Sequence, residues 1–391
     1  MKLLHVGDLH LGKSLLNYDL IEDQEYILEQ VLEIIKRENV DALLVAGDVY
    51  DKSIPSEAAT RLLDKFLISL SHMEVKTYMI SGNHDSDERL NYARTFMESH
   101  GIYISSVYDG ELKKYVLKTE SENDPDEVDI YMLPFVKASQ VRHFYPKANI
   151  NNYEDAVRVI IENTEIDESK CNIMIAHQYV TGCNGSVELA GSESNATKNV
   201  GFVEQIGYEC FDKFDYVALG HIHTPQKVGR ETVRYSGSPL KYSLSEIWKD
   251  KSVPLITIND KSDIQIDLIP LKPKREFRQL NGKMKELLKE ENITDTDDYI
   301  YVKLTDDEII NDAIGIFRKT YPNTLKLIYD NDHTKTIEDV DISEITENRS
   351  FEDLISDFYI NVYGSEITDE EMKIMREIAG EVGIINEADQ T

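Results

Sequence analysis

The chain has 391 residues, of which 41% are hydrophobic, and its formal net charge is -31. This length predicts two or three domains, and no segment approaches the roughly 18 consecutive apolar residues of a membrane span. Such acidity argues against binding to nucleic-acid phosphates through the charge of this chain alone, although divalent cations or a basic partner can supply positive charge. The three cysteines form no CxxC pair and predict reduced thiols in the cytoplasm.

Three units of a strand followed by a helix are predicted in the first part of the chain. Each apolar strand ends in a polar motif, in the order Lys2–Gly7 before Asp8-Leu-His10, Leu43–Ala46 before Gly47-Asp48, and Val75–Ile80 before Ser81-Gly-Asn-His-Asp85. Helices with an apolar face are predicted at Leu20–Arg37, Ser56–Leu70 and Glu88–Ser99. Strands joined by helices form parallel sheets, and ligands bind at the carboxyl ends of such strands. We therefore expect the polar motifs at one edge of a parallel sheet.

The middle of the chain contains strands that lead into histidines. A buried strand at Asn172–Ala176 precedes His177, and another at Tyr216–Leu219 precedes the motif Gly220-His-Ile-His223. Short strands after residue 101 indicate an antiparallel edge or a second sheet. The other elements predicted before residue 270 are a polar hairpin at Thr119–Glu127, a helix at Tyr153–Asn163, a polar loop at Ser186–Asn199 and strands within Val228–Ile269.

Three segments are predicted along the chain. Residues 1–270 form the main domain, residues 271–335 a small α/β domain, and residues 336–391 a C-terminal helical segment. Helices and strands alternate in the small domain, at Arg278–Glu291, Tyr299–Leu304, Asp307–Lys319 and Thr324–Tyr329. Two amphipathic helical patterns follow, at Ser350–Val362 and Thr368–Val382. Thr368 and Glu371 have the spacing of a capping box.

Seven side chains at the strand ends are candidate metal ligands: Asp8, His10, Asp48, Asn83, His177, His221 and His223. This number suits two five- or six-coordinate cations about 3.5–4 Å apart, with the two oxygens of Asp48 bridging the ions. Alternate side chains of extended backbone project to one side, so the pairs Asp-x-His and His-x-His each direct both ligands together. The expected partition is Asp8, His10, Asp48 and His223 on one ion, and Asp48, Asn83, His177 and His221 on the other.

A centre of this composition is suited to a phosphate ester. Two carboxylates against two divalent ions leave a formal charge of about +2, because the other ligands are neutral. Such a centre activates water and stabilises charge on phosphorus, and His84 is expected to protonate the leaving oxygen or to hydrogen-bond a phosphoryl oxygen. Mixed nitrogen and oxygen ligands suit Mn(II), Fe(II) or Zn(II) better than Mg(II).

Each motif taken singly is more common as a turn or a packed strand end than as a site, and their joint occurrence favours the dinuclear centre. The remaining histidines are expected to be structural, with His5 in a buried strand and the others at the surface or in loops: His72, His100, His143 and His333. Two other functions are considered. A small-molecule phosphodiesterase or phosphatase would not need the segment after residue 270, and a scaffold without metals would not need all seven ligands.

The ordered motifs resemble the calcineurin-like metallophosphoesterase superfamily. The stretches that carry the resemblance are His5-Val-Gly-Asp-Leu-His-Leu-Gly12, Ala46-Gly-Asp-Val-Tyr-Asp51, Ser81-Gly-Asn-His-Asp85, Ala218-Leu-Gly-His-Ile-His223 and Arg234-Tyr-Ser-Gly-Ser-Pro239. They cover residues 1–270, whereas the rest of the chain is similar in arrangement only. The resemblance implies an α/β fold with a layered β-sheet core flanked by helices. It also implies that the seven candidates bind metal and that His84 is the catalytic histidine.

Within the superfamily the motifs are most similar to bacterial DNA nuclease subunits that act with an SMC-like ATPase. That resemblance implies a Mn(II)-dependent double-strand exonuclease and single-strand or hairpin endonuclease, used in DNA end processing, repair and recombination. It implies a homodimer that forms a heterotetramer with the ATPase, with residues 271–335 capping DNA and residues 336–391 docking the ATPase. Archaeal and eukaryotic relatives carry a second active-site histidine at the position of Asp51. The role of Asp51, a candidate to support the metal ligands, is therefore open.

Overall fold

The computed structural model describes residues 1–16, 18–118, 127–182, 187–190, 205–330, 355–356, 367–368 and 371–376. The chain divides into two compact units, one formed by Met1–Lys303 with Asn311–Leu327 and the other by Leu304–Ile310 with Ile328–Thr391. Every candidate metal ligand lies in the first unit. The domain boundaries expected near residues 270 and 335 stay predictions.

The first of two large sheets contains the three predicted strand–helix units. Its six strands lie in the order Asp263–Leu271, Lys251–Asp260, Lys2–Val6, Ala42–Ala46, Lys76–Ile80 and Ile102–Ser105. The last four run parallel to one another; the first three of these were predicted, whereas Ile102–Ser105 lies in a region that was expected to form an antiparallel edge or a second sheet. The two strands from later in the chain are added antiparallel. All residues of Ala42–Ala46 are buried, as expected for a central parallel strand covered on both faces.

The second large sheet is formed by the middle of the chain. Its six strands lie in the order Gln226–Val228, Arg230–Tyr235, Tyr216–Gly220, Cys171–His177, Glu127–Leu133 and Lys113–Lys118. The four inner strands are parallel, and both edge strands pair antiparallel. The short strands after residue 101 therefore complete the first sheet and then begin a second one.

The two sheets pack face to face around a shared apolar layer. Leu44 of the first sheet and Ile173 of the second belong to the same buried cluster. Successive side chains of a strand point to opposite faces, so Leu43 lies on the outer face, in the buried cluster that includes the helix Ile21–Glu38. The helix Tyr153–Glu162 covers the outer face of the second sheet in the same way. The predicted layered core flanked by helices is confirmed.

Three smaller sheets complete the described strands. One contains three strands in the order Phe277–Gly282, Tyr299–Leu304 and Thr324–Tyr329, and we call it the small sheet. The two others are pairs, Ser14–Leu15 with Tyr18–Asp19 and Val180–Thr181 with Ile206–Gly207. Phe277 and Tyr299 belong to the buried cluster on the outer face of the first sheet.

Helices of very different lengths connect these strands. Between residues 1 and 330, α-helices lie at Ile21–Glu38, Glu57–His72, Asp87–Leu90, Arg94–Glu98, Ala138–Phe144, Tyr153–Glu162, Met284–Leu287 and Ala313–Thr320. Short 3₁₀ helices lie at Tyr208–Phe211, Leu244–Glu246 and Glu290–Asn292. The second α-helix begins after Ser56, whose hydroxyl accepts a hydrogen bond from the backbone N–H of Ala59 as an N-cap.

The helix predicted over Glu88–Ser99 is wrong as one continuous element. Two short helices, Asp87–Leu90 and Arg94–Glu98, take its place, and Ala93 between them has a left-handed φ of 58°. The second of these helices buries none of its residues. Met97 alone in this second helix packs against the core, and it is only partly buried. A continuous helix would therefore gain little apolar packing for its second half, and packing is what stabilises most helices in proteins.

The helices predicted for the small α/β region also differ from those in the structure. The predicted helix Arg278–Glu291 instead begins with the strand Phe277–Gly282 and continues as the short helix Met284–Leu287. Pairing with the central strand of the small sheet outweighs the helical propensity of this segment. The predicted helix Asp307–Lys319 shortens to Ala313–Thr320, after an N-cap residue with a left-handed φ of 51°.

Several predicted features lie wholly or mostly outside the described residues, namely the hairpin at Thr119–Glu127, the loop at Ser186–Asn199 and the C-terminal helical patterns Ser350–Val362 and Thr368–Val382. The capping box is described and is present. The Thr368 N–H donates to Glu371 Oε2 at 3.0 Å, the Glu371 N–H donates to Thr368 Oγ1 at 3.4 Å, and residues 371–376 are helical. In the described part of the chain, no helix has the length and apolar character needed to cross a bilayer.

Candidate metal centre

Two loops that follow neighbouring strands of the first sheet remain paired beyond the strands. The Asp8 N–H donates to the Gly47 carbonyl at 3.1 Å, and the His10 N–H donates to the Asp48 carbonyl at 2.9 Å. From the next strand end, the His84 N–H donates to Asp48 Oδ1 at 2.9 Å. The parallel strands thus bring their polar motifs to one edge of the sheet, as the sequence predicted.

The remaining histidines come from the second sheet. His177 ends one strand and lies in register with Gly220 on the adjacent strand, which leads into His221 and His223. The His221 N–H donates to both carboxylate oxygens of Asp8, at 2.9 and 3.1 Å. A carboxylate of the first sheet therefore holds the histidine loop of the second. The site lies where the carboxyl edges of the two sheets meet, which the sequence did not predict.

One half of the centre is formed by Asp8, His10 and His223, whose ligand atoms lie within 4.8 Å of one another. His10 Nε2 is 3.1 Å from His223 Nε2 and 3.5 Å from Asp48 Oδ2. All four side chains are buried. These are the four residues that the sequence assigned to one ion, and the structure brings them together.

The other half is formed around Asn83. Its Oδ1 atom lies 3.1 Å from His177 Nε2 and 2.8 Å from His221 Nδ1. His177 Nε2 is also 3.4 Å from Asp48 Oδ2. The same Asp48 oxygen therefore faces a histidine of each half. All seven predicted ligands converge on one site.

The hydrogen bonds of His177 test whether these side chains fit a cation. His177 Nδ1 lies 2.8 Å from the Ala46 carbonyl oxygen and must donate its hydrogen there. The lone pair on Nε2 of the neutral ring then faces two acceptors, Asp48 Oδ2 and Asn83 Oδ1. Burial opposes protonation, but the Asp48 carboxylate outweighs it and raises the pKa of His177 to about 9. The arrangement attracts a positive charge, and a metal ion satisfies all three groups.

Burial keeps the other three histidines among the candidate ligands neutral. It lowers the pKa of His221 to about 3, with the nearby His177 acting in the same direction. It also lowers the pKa of His10, and it lowers that of His223 well below the usual value. A metal binds the neutral imidazole, so these three rings are in the ligating form without the loss of a proton.

Four of the candidate ligands have a strained backbone. The φ angles are 51° at Asp8, 44° at His10, 47° at Asp48 and 97° at His221. Positive φ is uncommon for residues other than glycine, and such strain is concentrated at functional sites where the surrounding structure enforces it. The loop hydrogen bonds described above provide that enforcement here.

Two regions of the chain match known families. Residues 1–225 match the calcineurin-like phosphoesterase model, and residues 273–363 match the type 5 capsule protein repressor C-terminal domain. The SbcD subunit of the SbcCD nuclease from Staphylococcus epidermidis is 32% identical to this chain in an alignment of length 372 that covers 93% of each protein. The chain belongs to the SbcD family of calcineurin-like phosphoesterases. Membership of this family confirms the resemblance that the motifs indicated.

Solved structures are similar at a lower level. A dimetal phosphatase from Danio rerio is 12% identical, covers 68% of this chain and 98% of its own, and has a TM-score of 0.37. YfcE, a phosphoesterase from E. coli, is 13% identical, covers 70% of this chain and 100% of its own, and has a TM-score of 0.30. With TM-scores this low, the family membership rests on the sequence relationship.

Three glycines that precede candidate ligands or the loops carrying them, Gly47, Gly82 and Gly220, lie so close to neighbouring atoms that a side chain would not fit. A Cβ on Gly47 would lie 2.4 Å from His177 Nδ1, one on Gly82 would lie 2.1 Å from Asp48 Oδ1, and one on Gly220 would lie 1.8 Å from the Ala46 carbonyl oxygen. Of these three, Gly47 alone has a positive φ, at 80°. At all three positions the backbone and the side chains of candidate ligands leave no space for a methyl group.

His84 and Asp51 lie beside the His10 half of the centre. The His84 ring centroid is 4.8 Å from that of His10, and its Nδ1 lies 3.0 Å from the Asp51 carbonyl oxygen. His84 is half-buried, whereas the ligand histidines are buried. The Asp51 carboxylate lies 3.4 Å from His10 Nδ1 and 2.7 Å from Lys13 Nζ. Asp51 is therefore behind a ligand and is not among those that converge.

Asp85 has a structural part in the site that the sequence did not assign to it. Its carboxylate accepts hydrogen bonds from the backbone N–H groups of Val49, Tyr50 and Gly82, at 3.0, 2.8 and 2.9 Å. It therefore ties the loop after Asp48 to the loop that carries Asn83. Burial, with the charge of Asp48, raises the pKa of Asp85 to about 6. The available signal was the final residue of the Gly-Asn-His-Asp motif.

We predict that replacing Gly220 with alanine damages the centre. The new methyl group would overlap the Ala46 carbonyl oxygen and would lie 2.8 Å from His177 Nδ1, so the two sheets must separate at their shared edge. Overpacking of this kind costs about 1–3 kcal/mol or more. Urea unfolding measures this loss. The matched control is Gly182→Ala. The nearest neighbour of its Cβ within the described residues, apart from those adjacent in sequence, would be the Gly229 backbone nitrogen at 3.8 Å; equal stability of the two variants would contradict the prediction.

Proposed function

We propose that this chain is a metal-dependent nuclease that hydrolyses phosphodiester bonds of DNA, as an exonuclease on double strands and an endonuclease on single strands and hairpins. The observation that carries the proposal is the Asp48 oxygen shared by two sets of ligands. The relative from Staphylococcus epidermidis is named as part of a nuclease, which supports DNA as the substrate. The cellular role that follows is DNA end processing in repair and recombination.

Two divalent ions are the proposed cofactors. Asp8, His10, Asp48 and His223 would hold one ion, and Asp48, Asn83, His177 and His221 the other. Mn(II) is the proposed metal, because four imidazole nitrogens with carboxylate and amide oxygens are a poorer match to Mg(II), which prefers oxygen and water. When bound, the pair of ions supplies an activated water and charge stabilisation at phosphorus.

The side chains around the ligands have separate tasks. His84 is the proposed catalytic histidine. Its backbone N–H donates to Asp48 Oδ1, and its ring atom Nδ1 hydrogen-bonds the Asp51 carbonyl oxygen. It would protonate the leaving oxygen or donate a hydrogen bond to a phosphoryl oxygen. The Asp51 carboxylate would orient the His10 ring from behind, as carboxylates behind metal-bound histidines do, while Lys13 balances its charge.

The acidity of the chain supports a basic partner. With a net charge of -31, the surface away from the ions repels DNA, so positive charge must come from elsewhere. We infer that the partner is an SMC-like ATPase of the SbcC type, since the relative is a component of SbcCD. Residues 336–391 are the proposed docking segment, and residues 271–335 the proposed DNA-capping domain. Unchanged ATPase binding by a chain that ends at residue 335 would contradict the docking proposal.

A homodimer, and with the ATPase a heterotetramer, is the proposed assembly. An apolar cavity of about 620 Å³ lies between the helix Glu57–His72 and the segment that follows His84. Ile68, Tyr92 and Phe96 on its lining are 48%, 81% and 67% exposed, and exposed apolar patches of this kind mark interaction sites. A second copy is the proposed occupant. In sedimentation experiments, we expect the unmodified chain to be a dimer and Phe96→Glu to be a monomer. A dimer of the same stability in both would contradict this assignment.

The metal proposal predicts that Asp48→Asn lowers the manganese content. The unmodified chain should bind about two Mn(II) ions, and the variant should bind fewer than one, because both ions lose their shared carboxylate. Calorimetric titration of the metal-free protein measures both numbers. Asp267→Asn, on the exposed edge strand of the first sheet, is the matched control. Two ions retained by Asp48→Asn, or one ion bound by the unmodified chain at saturation, would contradict the proposal.

The catalytic proposal predicts that His84→Gln abolishes cleavage and leaves metal binding intact. General acid catalysis contributes about 10²–10⁴-fold, so hairpin-DNA cleavage with Mn(II) should fall by that factor, while calorimetry should still detect both ions. His143→Gln, at an exposed histidine on the helix Ala138–Phe144, controls for loss of any imidazole. Undiminished cleavage by His84→Gln would reject the role of His84. Hydrolysis of bis-p-nitrophenyl phosphate without cleavage of any DNA would instead favour a small-molecule phosphodiesterase.

A further inference from the structure

The loop that carries His10 is held from behind by a buried glutamine on the first helix. Gln24 is 2% exposed. Its Nε2 donates to the His10 carbonyl at 2.7 Å, and its Oε1 accepts from the Gly12 N–H at 2.9 Å. The carboxamide therefore bridges the two sides of the turn in which His10 has a φ of 44°.

The neighbouring residue Asp23 faces the small sheet. Successive residues of a helix project roughly 100° apart, so Asp23 and Gln24 contact different structures. Arg275 pairs with Asp23 through two hydrogen bonds, Nε to Oδ1 at 3.0 Å and Nη2 to Oδ2 at 2.6 Å. The Tyr299 hydroxyl donates to the same Oδ2 at 2.9 Å. Asp23 is 1% exposed, so this is a buried, charge-assisted anchor.

We propose that Gln24 is a positioning residue for the His10 half of the metal centre, and that Asp23 links it to the small sheet. The inference rests on the proposed metal centre. The carboxamide stabilises the strained turn, and the turn directs His10 Nε2 towards His223 and Asp48. Without the bridge, the turn relaxes towards negative φ and His10 moves away from the ion. Asn83, His177 and His221 of the other half have no hydrogen bond to this turn among those described.

The same helix supplies a matched control. Gln30, six positions after Gln24, also holds a backbone segment through its carboxamide: its Nε2 donates to the Lys272 carbonyl at 2.6 Å, and its Oε1 accepts from the Lys272 N–H at 3.1 Å. The residue type, the helix and the use of both carboxamide atoms are alike, whereas Gln30 is half-buried and its carboxamide hydrogen-bonds to a single residue. The segment that Gln30 contacts is the connection to the small sheet, which carries no candidate ligand.

The experiment compares Gln24→Glu with Gln30→Glu. Each variant keeps the acceptor and replaces the donor by a carboxylate oxygen that faces a carbonyl. Mn(II) is titrated calorimetrically into the metal-free full-length proteins. For Gln24→Glu we expect one ion to bind as in the unmodified chain and the second about 10–100-fold more weakly, the usual effect of losing a group that orients a ligand. Gln30→Glu should bind both ions as the unmodified chain does.

Two further variants locate the affected ion and the link. Asn83→Ala weakens the other half, so adding Gln24→Glu to it should remove the remaining ion. Asp23→Asn should weaken the same ion as Gln24→Glu, and the double variant should lose less than the sum, because the two residues act through one path. Thermal unfolding of the metal-free proteins identifies any variant that fails to fold, and Gln24→Ala with Gln30→Ala then replaces the charged pair.

The outcomes separate this inference from the proposed function. Selective weakening of one ion by Gln24→Glu supports it. Unchanged binding of both ions, or equal losses in Gln24→Glu and Gln30→Glu, would overturn it and leave the metal centre as proposed. Binding of fewer than two ions by the unmodified chain would overturn the metal centre and this inference together.

Discussion

One carboxylate oxygen, Asp48 Oδ2, lies between the two halves of the proposed centre. It lies 3.5 Å from His10 Nε2 and 3.4 Å from His177 Nε2. The other ring nitrogen of His177, Nδ1, donates a hydrogen bond to the Ala46 carbonyl. Lone pairs and acceptors that are crowded in a buried space repel one another unless a cation lies among them. The requirement for positive charge is therefore a property of the arrangement itself, and the donor types select the kind of ion.

The fold sustains this crowding by constraining the backbone from several directions. Strained residues such as Asp8 and His10 are held by hydrogen bonds between adjacent loops, by the Asp85 carboxylate and by the Gln24 carboxamide. The glycine at 220 lets the two sheets approach at the shared edge. Beneath the site, the apolar layer between the sheets supplies the rigidity, because close-packed interiors resist displacement. The positions of the candidate ligands thus depend on the packing of the core beneath them.

The chain as a whole is strongly negative, whereas the proposed metal centre is positive. The two charges act over different distances. The net charge of -31 acts over the surface, where salt screens it beyond a Debye length of about 10 Å at 0.1 M. A pair of divalent ions against two carboxylates leaves about +2 within a few ångströms. The proposed hydrolysis therefore takes place at a small positively charged site on an acidic protein. A basic surface on the partner would lie beside this site and bind the DNA backbone over a greater length.

The seven candidate ligands and the three parallel strands that carry the first motifs could be predicted from the sequence alone, because each candidate lies in a short motif at the end of a buried apolar run. The sequence also predicted the strand Tyr299–Leu304 at its observed bounds. The helix predicted at Arg278–Glu291 was wrong because pairing with another strand outweighed local propensity. The position of the site between two sheets, and the hydrogen bonds from Gln24 to the turn at His10, became evident only from the three-dimensional fold. Contacts such as the one from His221 to Asp8, 213 positions apart, leave no local pattern, since they depend on how complete sheets pack.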